Sequence, residues 1–265
     1  DVVTASPEAA ADQLSDLAAL GIDWDGDVIV QSERFDRYRA AIATLTAAGL
    51  VYPCFCTRRE IRAEIAAAAA APHGVAGIPG GYPGTCRDLT DAERGERRAA
   101  GRPAALRLRA EATTITFTDV IAGPCEGPVD DVVLARADGV PAYNLAVVVD
   151  DAAQDVTQVV RGDDLLASTP RQILLQRLLG YPQPEYAHVP LVVDADGERL
   201  AKRHTAVTLG DLIGAGSTPA RVRAALARSL GVDAEASTPP AELIARFDVA
   251  AVPCRPVHLA DIVDL

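Results

Sequence analysis

Residues 156–194 constrain the fold of this chain more than any other stretch. They open with an apolar, β-branched run at 156–161, read as a strand. Ser168, Thr169 and Pro170 then form a cap and first-turn group, and the helix they start is expected to reach Leu179, where Gly180 stops it. Residues 188–194 are a further apolar run. Strand, capped helix, strand is a βαβ unit, so the expected core is α/β with a parallel sheet. Upstream, 143–151 is a continuous apolar run ending in Asp150 and Asp151, and a strand buried on both faces is expected there. Residues 131–137 read as another strand, closed by the turn pair Asp138-Gly139. Ligands of open α/β sheets sit beyond the carboxyl ends of parallel strands, which brings Asp150, Arg161 and the loop 194–204 to one edge.

The flanks read as helical. Ser6 and Pro7 start a first helix stopped at Gly21, Ser32 opens a second through Ala48, and a third begins near Thr57 and runs into the alanines at 66–71. Residues 72–84, rich in proline and glycine, read as a loop. Helices are expected after Lys202, at 218–230 and 240–247.

Composition excludes several function classes. The formal net charge is −12, from 25 Lys+Arg against 37 Asp+Glu, which argues against a protein that only coats nucleic acid. A local basic face is compatible with it, because residues 87–109 hold seven arginines against four acids. No apolar run is long enough to span a bilayer, and no charged start followed by an apolar stretch marks secretion. Five cysteines are too few and too oddly counted for a disulfide framework, so a cytoplasmic protein is expected. There is no methionine, so the chain is expected to lack its initiator and some upstream segment.

Two groups of residues carry chemistry. In the turn and loop 194–204, Lys202 stands between Arg199, Arg203 and His204, and a lysine so placed can neutralise charge building on nucleotide phosphates. Cys54, Cys56 and Cys86, with a glycine-rich return loop, can make three corners of a tetrahedral zinc site. His73 or the phenol of Tyr82 could supply the fourth, and imidazole is the more usual ligand. Cys125 and Cys254 read as ordinary small apolar residues.

The order YNLAVVVDD, VVRGDDLLASTPRQILLQRLLG, HVPLVVDADGERLAKRH resembles the second half of the class I catalytic domain of glutamyl-tRNA synthetases. That resemblance is close over 131–204 and loose before it. The expected fold is a Rossmann-like parallel sheet with an inserted zinc-containing subdomain and a C-terminal helical appendage. Residues 1–50 would be the rest of the first catalytic half, 51–130 the insert, 131–205 the second half with its KMSKS-type loop, and 206–265 the appendage. The family's roles fall on Tyr143 and Arg161, which would hold glutamate, and on Lys202, which would contact ATP, with Mg2+ accompanying the nucleotide. The physics agrees, since Arg161 offers a planar fork that grips a carboxylate bidentately at any working pH. Ala201 stands where the family often has serine and Arg199 where it often has lysine. The HIGH-type motif and the first carboxylate contacts would lie upstream of Asp1.

The spacing CxC…YxxxC is similar to the zinc site of the truncated glutamyl-queuosine tRNA(Asp) synthetase family, which favours Tyr82 over His73. The stretch after Lys202 is expected to hold only a small helical appendage and not an anticodon-binding domain. Activation of glutamate with ATP and transfer to the queuosine base of tRNA(Asp), by a monomer, is therefore expected. The alternatives are a catalytic fragment that charges tRNA(Glu) and a silent zinc module that only binds RNA.

Overall fold

The computed structural model describes residues 6–69, 81–111, 113–194, 196–197 and 208–260. Helix α1 (Pro7–Ala19) starts as expected, with the Ser6 hydroxyl accepting from the Ala9 N–H at 3.0 Å. A short 3-10 turn at Gln31–Glu33 precedes α2 (Phe35–Ala47). This helix buries Tyr38, Ala41, Ile42 and Leu45, the i, i+3, i+4, i+7 stripe of an amphipathic helix. Strand β1 (Val51–Cys54) and α3 (Arg58–Ala69) follow, then α4 (Asp91–Ala99), whose start is fixed by a reciprocal capping box between Thr90 and Glu93. Next come β2 (Ala105–Leu108), β3 (Thr113–Asp119), β4 (Gly123–Val129) and β5 (Val133–Ala135).

The segment expected as a doubly buried strand is a helix, α5 (Tyr143–Ala153). Its buried residues Leu145, Ala146, Val148 and Val149 follow helical spacing. A continuous apolar run has no period of its own, and this one packs as a buried helix against α2 and α6. Asp150 therefore lies on a helix and not at a strand end. It takes hydrogen bonds from Tyr38 at 2.6 Å and Gln31 at 2.9 Å and pairs with Arg34 at 3.2 Å.

The βαβ unit is present as β6 (Gln158–Gly162), α6 (Thr169–Leu179) and β7 (Glu185–Val189). Gly180 ends α6 at φ +70°, where a side chain would be strained. Ser168 does not cap it by side chain: its hydroxyl donates to the Leu165 carbonyl at 2.7 Å, because a 3-10 segment, Asp163–Ser168, runs straight into the helix. The expected strand 188–194 is split. Pro190 has no N–H for the ladder, so β7 stops at Val189 and β8 (Val192–Val193) pairs elsewhere. Helices α7 (Leu209–Gly214), α8 (Pro219–Ser229) and α9 (Pro240–Arg246) form the helical tail. The tail also contributes a strand, β9 (Val257–His258), which pairs with β8.

The central sheet is mixed, in the order β4-β3-β7-β6. β6 and β7 run parallel, as do β3 and β7, but β3 and β4 are an antiparallel hairpin. The expectation of a wholly parallel sheet is corrected on this point: the short connection at residues 120–122 can only reverse the chain. A second antiparallel sheet joins β1, β2 and β5. Helices α2, α5 and α6 cover the main core, where Leu45, Leu108, Leu134, Leu145, Ile173 and Leu175 are buried. A smaller core holds Tyr52, Cys54, Phe55 and Cys86. Among the described residues, no helix is long and apolar enough to cross a membrane.

Candidate active site and metal centre

Arg161 lies near the carboxyl end of β6, opposite His188 of β7 in the parallel register. Its Nε–H donates to His188 Nε2 at 3.1 Å, Nη1 to the Gln172 side-chain oxygen at 2.7 Å, and Nη2 to the Thr169 hydroxyl at 2.8 Å. Thr169 and Gln172 are three apart at the start of α6, so both present to the same strand end. The guanidinium also sits over the Tyr186 ring, with 5.3 Å to its centroid. Gly162 leaves room for the turn that follows, since a Cβ there would come within 2.7 Å of an Asp164 oxygen. Arg161 carries five N–H bonds; these contacts take three, all to neutral acceptors, and leave one on each Nη.

The start of α5 is tied to this group. Gln172 donates to the Asn144 side chain at 3.1 Å, next to Tyr143, which is 53% exposed at the first position of the helix. Asp151, at the other end of α5, feels the same cation. Burial raises its pKa, and the charge of Arg161 opposes that rise. Behind Arg161, His188 Nδ1 contacts Asp119 at 2.6 Å, with both side chains fully buried. Burial disfavours the Asp119 carboxylate, yet N–H donors from Ala122, His188 and Ile121 hold its pKa below the ordinary value.

A second cluster surrounds the end of β1. The sulfurs of Cys54, Cys56 and Cys86 lie within 4.8 Å of one another. The Tyr82 phenol reaches the same point, 3.2 Å from Cys54 Sγ and 3.8 Å from Cys56 Sγ, and accepts from the Cys86 N–H at 3.0 Å. Bonds of about 2.3 Å to a tetrahedral zinc ion would separate sulfurs by on the order of 3.8 Å, so three thiols and a phenol oxygen gathered this closely fit such an ion. Burial pushes the Cys56 thiol up to about 12. It also works against ionisation of Cys86, but the Phe55 N–H, the Cys56 thiol, Tyr82 and the charge of Arg97 prevail and lower its pKa.

A family model described as the catalytic domain of class I tRNA synthetases (E and Q) matches residues 1–250. The chain belongs to the class I (E and Q) tRNA synthetases. A glutamyl-Q tRNA(Asp) synthetase of Nocardia farcinica is 60% identical over 98% of the chain and 81% of its own length. One from Symbiobacterium thermophilum is 48% identical over 98% and 83%. In fold, this synthetase resembles a glutamate tRNA ligase from Elizabethkingia meningosepticum, with a TM-score of 0.78 at 23% identity. The match covers 99% of this chain and 59% of that one.

The synthetase fold brings Arg161 and the Tyr143 end of α5 together through Gln172, and gathers Cys54, Cys56, Tyr82 and Cys86. Lys202 and its neighbours in the loop, and His73, lie outside the described residues. The turn before the loop is formed: Asp194 accepts from the Gly197 N–H at 3.1 Å, with Gly197 at φ +80°. In the sequence Thr169 reads as part of a helix cap and residue 188 as the start of a strand, and neither they nor Gln172 and Asp119 carry a functional role there. Thr169 and Gln172 could have been found from their i, i+3 spacing on the helix after Arg161, whereas nothing local marks Asp119 as a neighbour of His188.

Proposed function

We propose that this protein activates glutamate with ATP and transfers it to the queuosine base in the anticodon loop of tRNA(Asp). The observation that carries this reading is the likeness, over nearly the whole chain, to relatives named glutamyl-Q tRNA(Asp) synthetases. The protein is taken to act as a monomer in the cytoplasm. A carboxylate oxygen of glutamate displaces pyrophosphate from ATP, forming an acyl adenylate, and a hydroxyl of the acceptor then displaces AMP. Arg161, anchored by neutral groups, keeps a two-pronged donor for a glutamate carboxylate. Tyr143, beside Asn144 at the start of α5, takes its part in holding glutamate from the family's pattern. Lys202 contacts ATP, a role carried over from the family's lysine loop, and Mg2+ accompanies the nucleotide. Cys54, Cys56, Tyr82 and Cys86 hold one structural Zn2+; four protein ligands leave no open position for substrate. An unpaired anticodon-loop base suits direct recognition, because proteins read RNA sequence mostly in single-stranded loops.

The test uses the full-length protein. Glutamate-dependent exchange of pyrophosphate into ATP is expected without any tRNA, and Lys202→Ala should slow it ~10²-fold, the usual loss for a cation acting on developing charge. Labelled glutamate should then appear on queuosine-containing tRNA(Asp). Charging of the 3′ end of tRNA(Glu) instead would replace this reading with that of an ordinary glutamyl-tRNA synthetase.

A further inference from the structure

We propose that Asp119 and His188 are positioning residues for glutamate binding: Asp119 sets which ring nitrogen of His188 carries the proton, and that choice orients Arg161. The inference rests on the reading that Arg161 grips a carboxylate of glutamate. It starts from the pattern of donors and acceptors. One Asp119 oxygen accepts the backbone N–H groups of Ile121 (3.0 Å), Ala122 (2.9 Å) and His188 (3.2 Å), while the other meets His188 Nδ1 at 2.6 Å. An ionised carboxylate only accepts, so Nδ1 carries the ring proton. Nε2 then has a lone pair, and it faces the Nε–H of Arg161, a side chain that can only donate, and the Thr169 hydroxyl at 3.2 Å, which can donate to it as well. Moving the proton to Nε2 would set lone pair against lone pair on one side and N–H against N–H on the other. One location satisfies both partners.

The relay is held on all sides. Asp119 ends β3, His188 lies on β7 and Arg161 on β6, so three adjacent strands of the sheet fix the three groups. His188 stacks on Tyr186 with ring planes 17° apart, and Tyr186 is itself held by Gln176 at 2.9 Å. Thr169 and Gln172 each take one N–H of an Nη, so the Nε contact with His188 is the third point that fixes the plane of the guanidinium. A guanidinium fixed at all three nitrogens loses little freedom when a carboxylate arrives.

The decisive measurement is the KM for glutamate and for ATP in pyrophosphate exchange by the full-length protein. Asp119→Asn is nearly isosteric. Its amide oxygen goes to the three backbone N–H groups and its NH2 faces Nδ1, which drives the ring proton to Nε2. The KM for glutamate should rise roughly tenfold or more, as when a hydrogen bond to a charged group is lost, with the KM for ATP little changed. His188→Phe should do the same. His188→Gln can still offer an oxygen to Arg161 and should stay within about threefold of wild type, and in that background Asp119→Asn should add nothing. ¹⁵N NMR of the imidazole should show the proton on Nδ1 in the wild type and on Nε2 in Asp119→Asn. Should Asp119→Asn fail to fold, the contrast between His188→Gln and His188→Phe decides alone. Arg161→Ala separates the two levels. If it raises the glutamate KM while Asp119→Asn and His188→Phe leave it unchanged, the relay is wrong and the carboxylate site stands. If it leaves that KM unchanged, the site and the relay fall together.

Discussion

Asp131 is the residue on which the smaller core hangs. Its side chain is fully buried and receives Arg87, through Nε at 2.7 Å and through Nη2, the Tyr52 hydroxyl and the Ala110 N–H at 2.9 Å. Burial alone would raise its pKa, but these donors prevail and lower it. A carboxyl held below its unfolded value near ~3.9 contributes stability that is complete above that value and is lost as the pH falls through the folded one. Acid titration followed by tryptophan-independent far-UV circular dichroism should therefore show Asp131→Asn to have a shallower loss of stability below about pH 4 than the wild type. At neutral pH the same substitution should cost about 3 kcal/mol, because it strands the buried end of Arg87. Equal acid dependence in the two proteins would remove Asp131 from this role. Arg161 stood out in the sequence through the order of motifs shared with the synthetase family, since an arginine at a strand end could equally pair with a nearby Asp163 or Asp164. Its three anchors were not, since they come from two other elements.

Among the elements, α5 is the instructive one. Tyr143, Leu145, Val147 and Val149 would share one face of a strand, yet Tyr143 is half exposed while Leu145, Ala146, Val148 and Val149 are buried, a helical stripe. Leu145→Ala should destabilise the protein by about 2–5 kcal/mol in urea unfolding, the cost of a cavity at a fully buried position, whereas Tyr143→Phe should change stability by less than about 0.5 kcal/mol. A large loss of stability in Tyr143→Phe would contradict the exposed placement. The helix has a consequence for the site: it puts Tyr143 at a helix start, where Asn144 can meet Gln172, and sends Asp150 to Arg34 instead of to the ligand edge. The elements bounded by strong local signals, Ser6-Pro7 before α1, Thr218-Pro219 before α8 and Gly180 after α6, agree with the sequence reading to within a residue or so.

At the scale of the whole molecule, the two cores are joined by paired acids. Asp130 accepts from the Tyr82 N–H at 3.1 Å and from Arg171 on α6 at 2.8 Å, and Asp131 holds Arg87, the neighbour of Cys86. The cysteine cluster is thus connected to the helix that carries Thr169 and Gln172. Stripping metal with a chelator should lower the melting temperature, and elemental analysis of the untreated protein should find one zinc per chain. Cys86→Ser should reproduce the loss of both. Tyr82→Phe should retain less zinc than the wild type; full retention would hand the fourth position to another ligand. Protein that contains no metal and melts identically with and without chelator would end the zinc reading.

The sequence by itself determined what is written in short range. Caps, stops, the strand–helix–strand order and the CxC pair are each set by neighbouring residues, because capping and turn formation satisfy backbone groups within a few positions. Tertiary structure decided what depends on partners far along the chain. Whether 143–153 is strand or helix was settled by the surfaces of α2 and α6, since an apolar run fits either. The antiparallel β3–β4 hairpin made the sheet mixed, and the parallel pairing of β3 with β7 carried Asp119 to within 2.6 Å of His188, 69 residues away. Hydrogen-bond chains of that kind leave no trace in spacing, because the sheet and not the chain brings their members together.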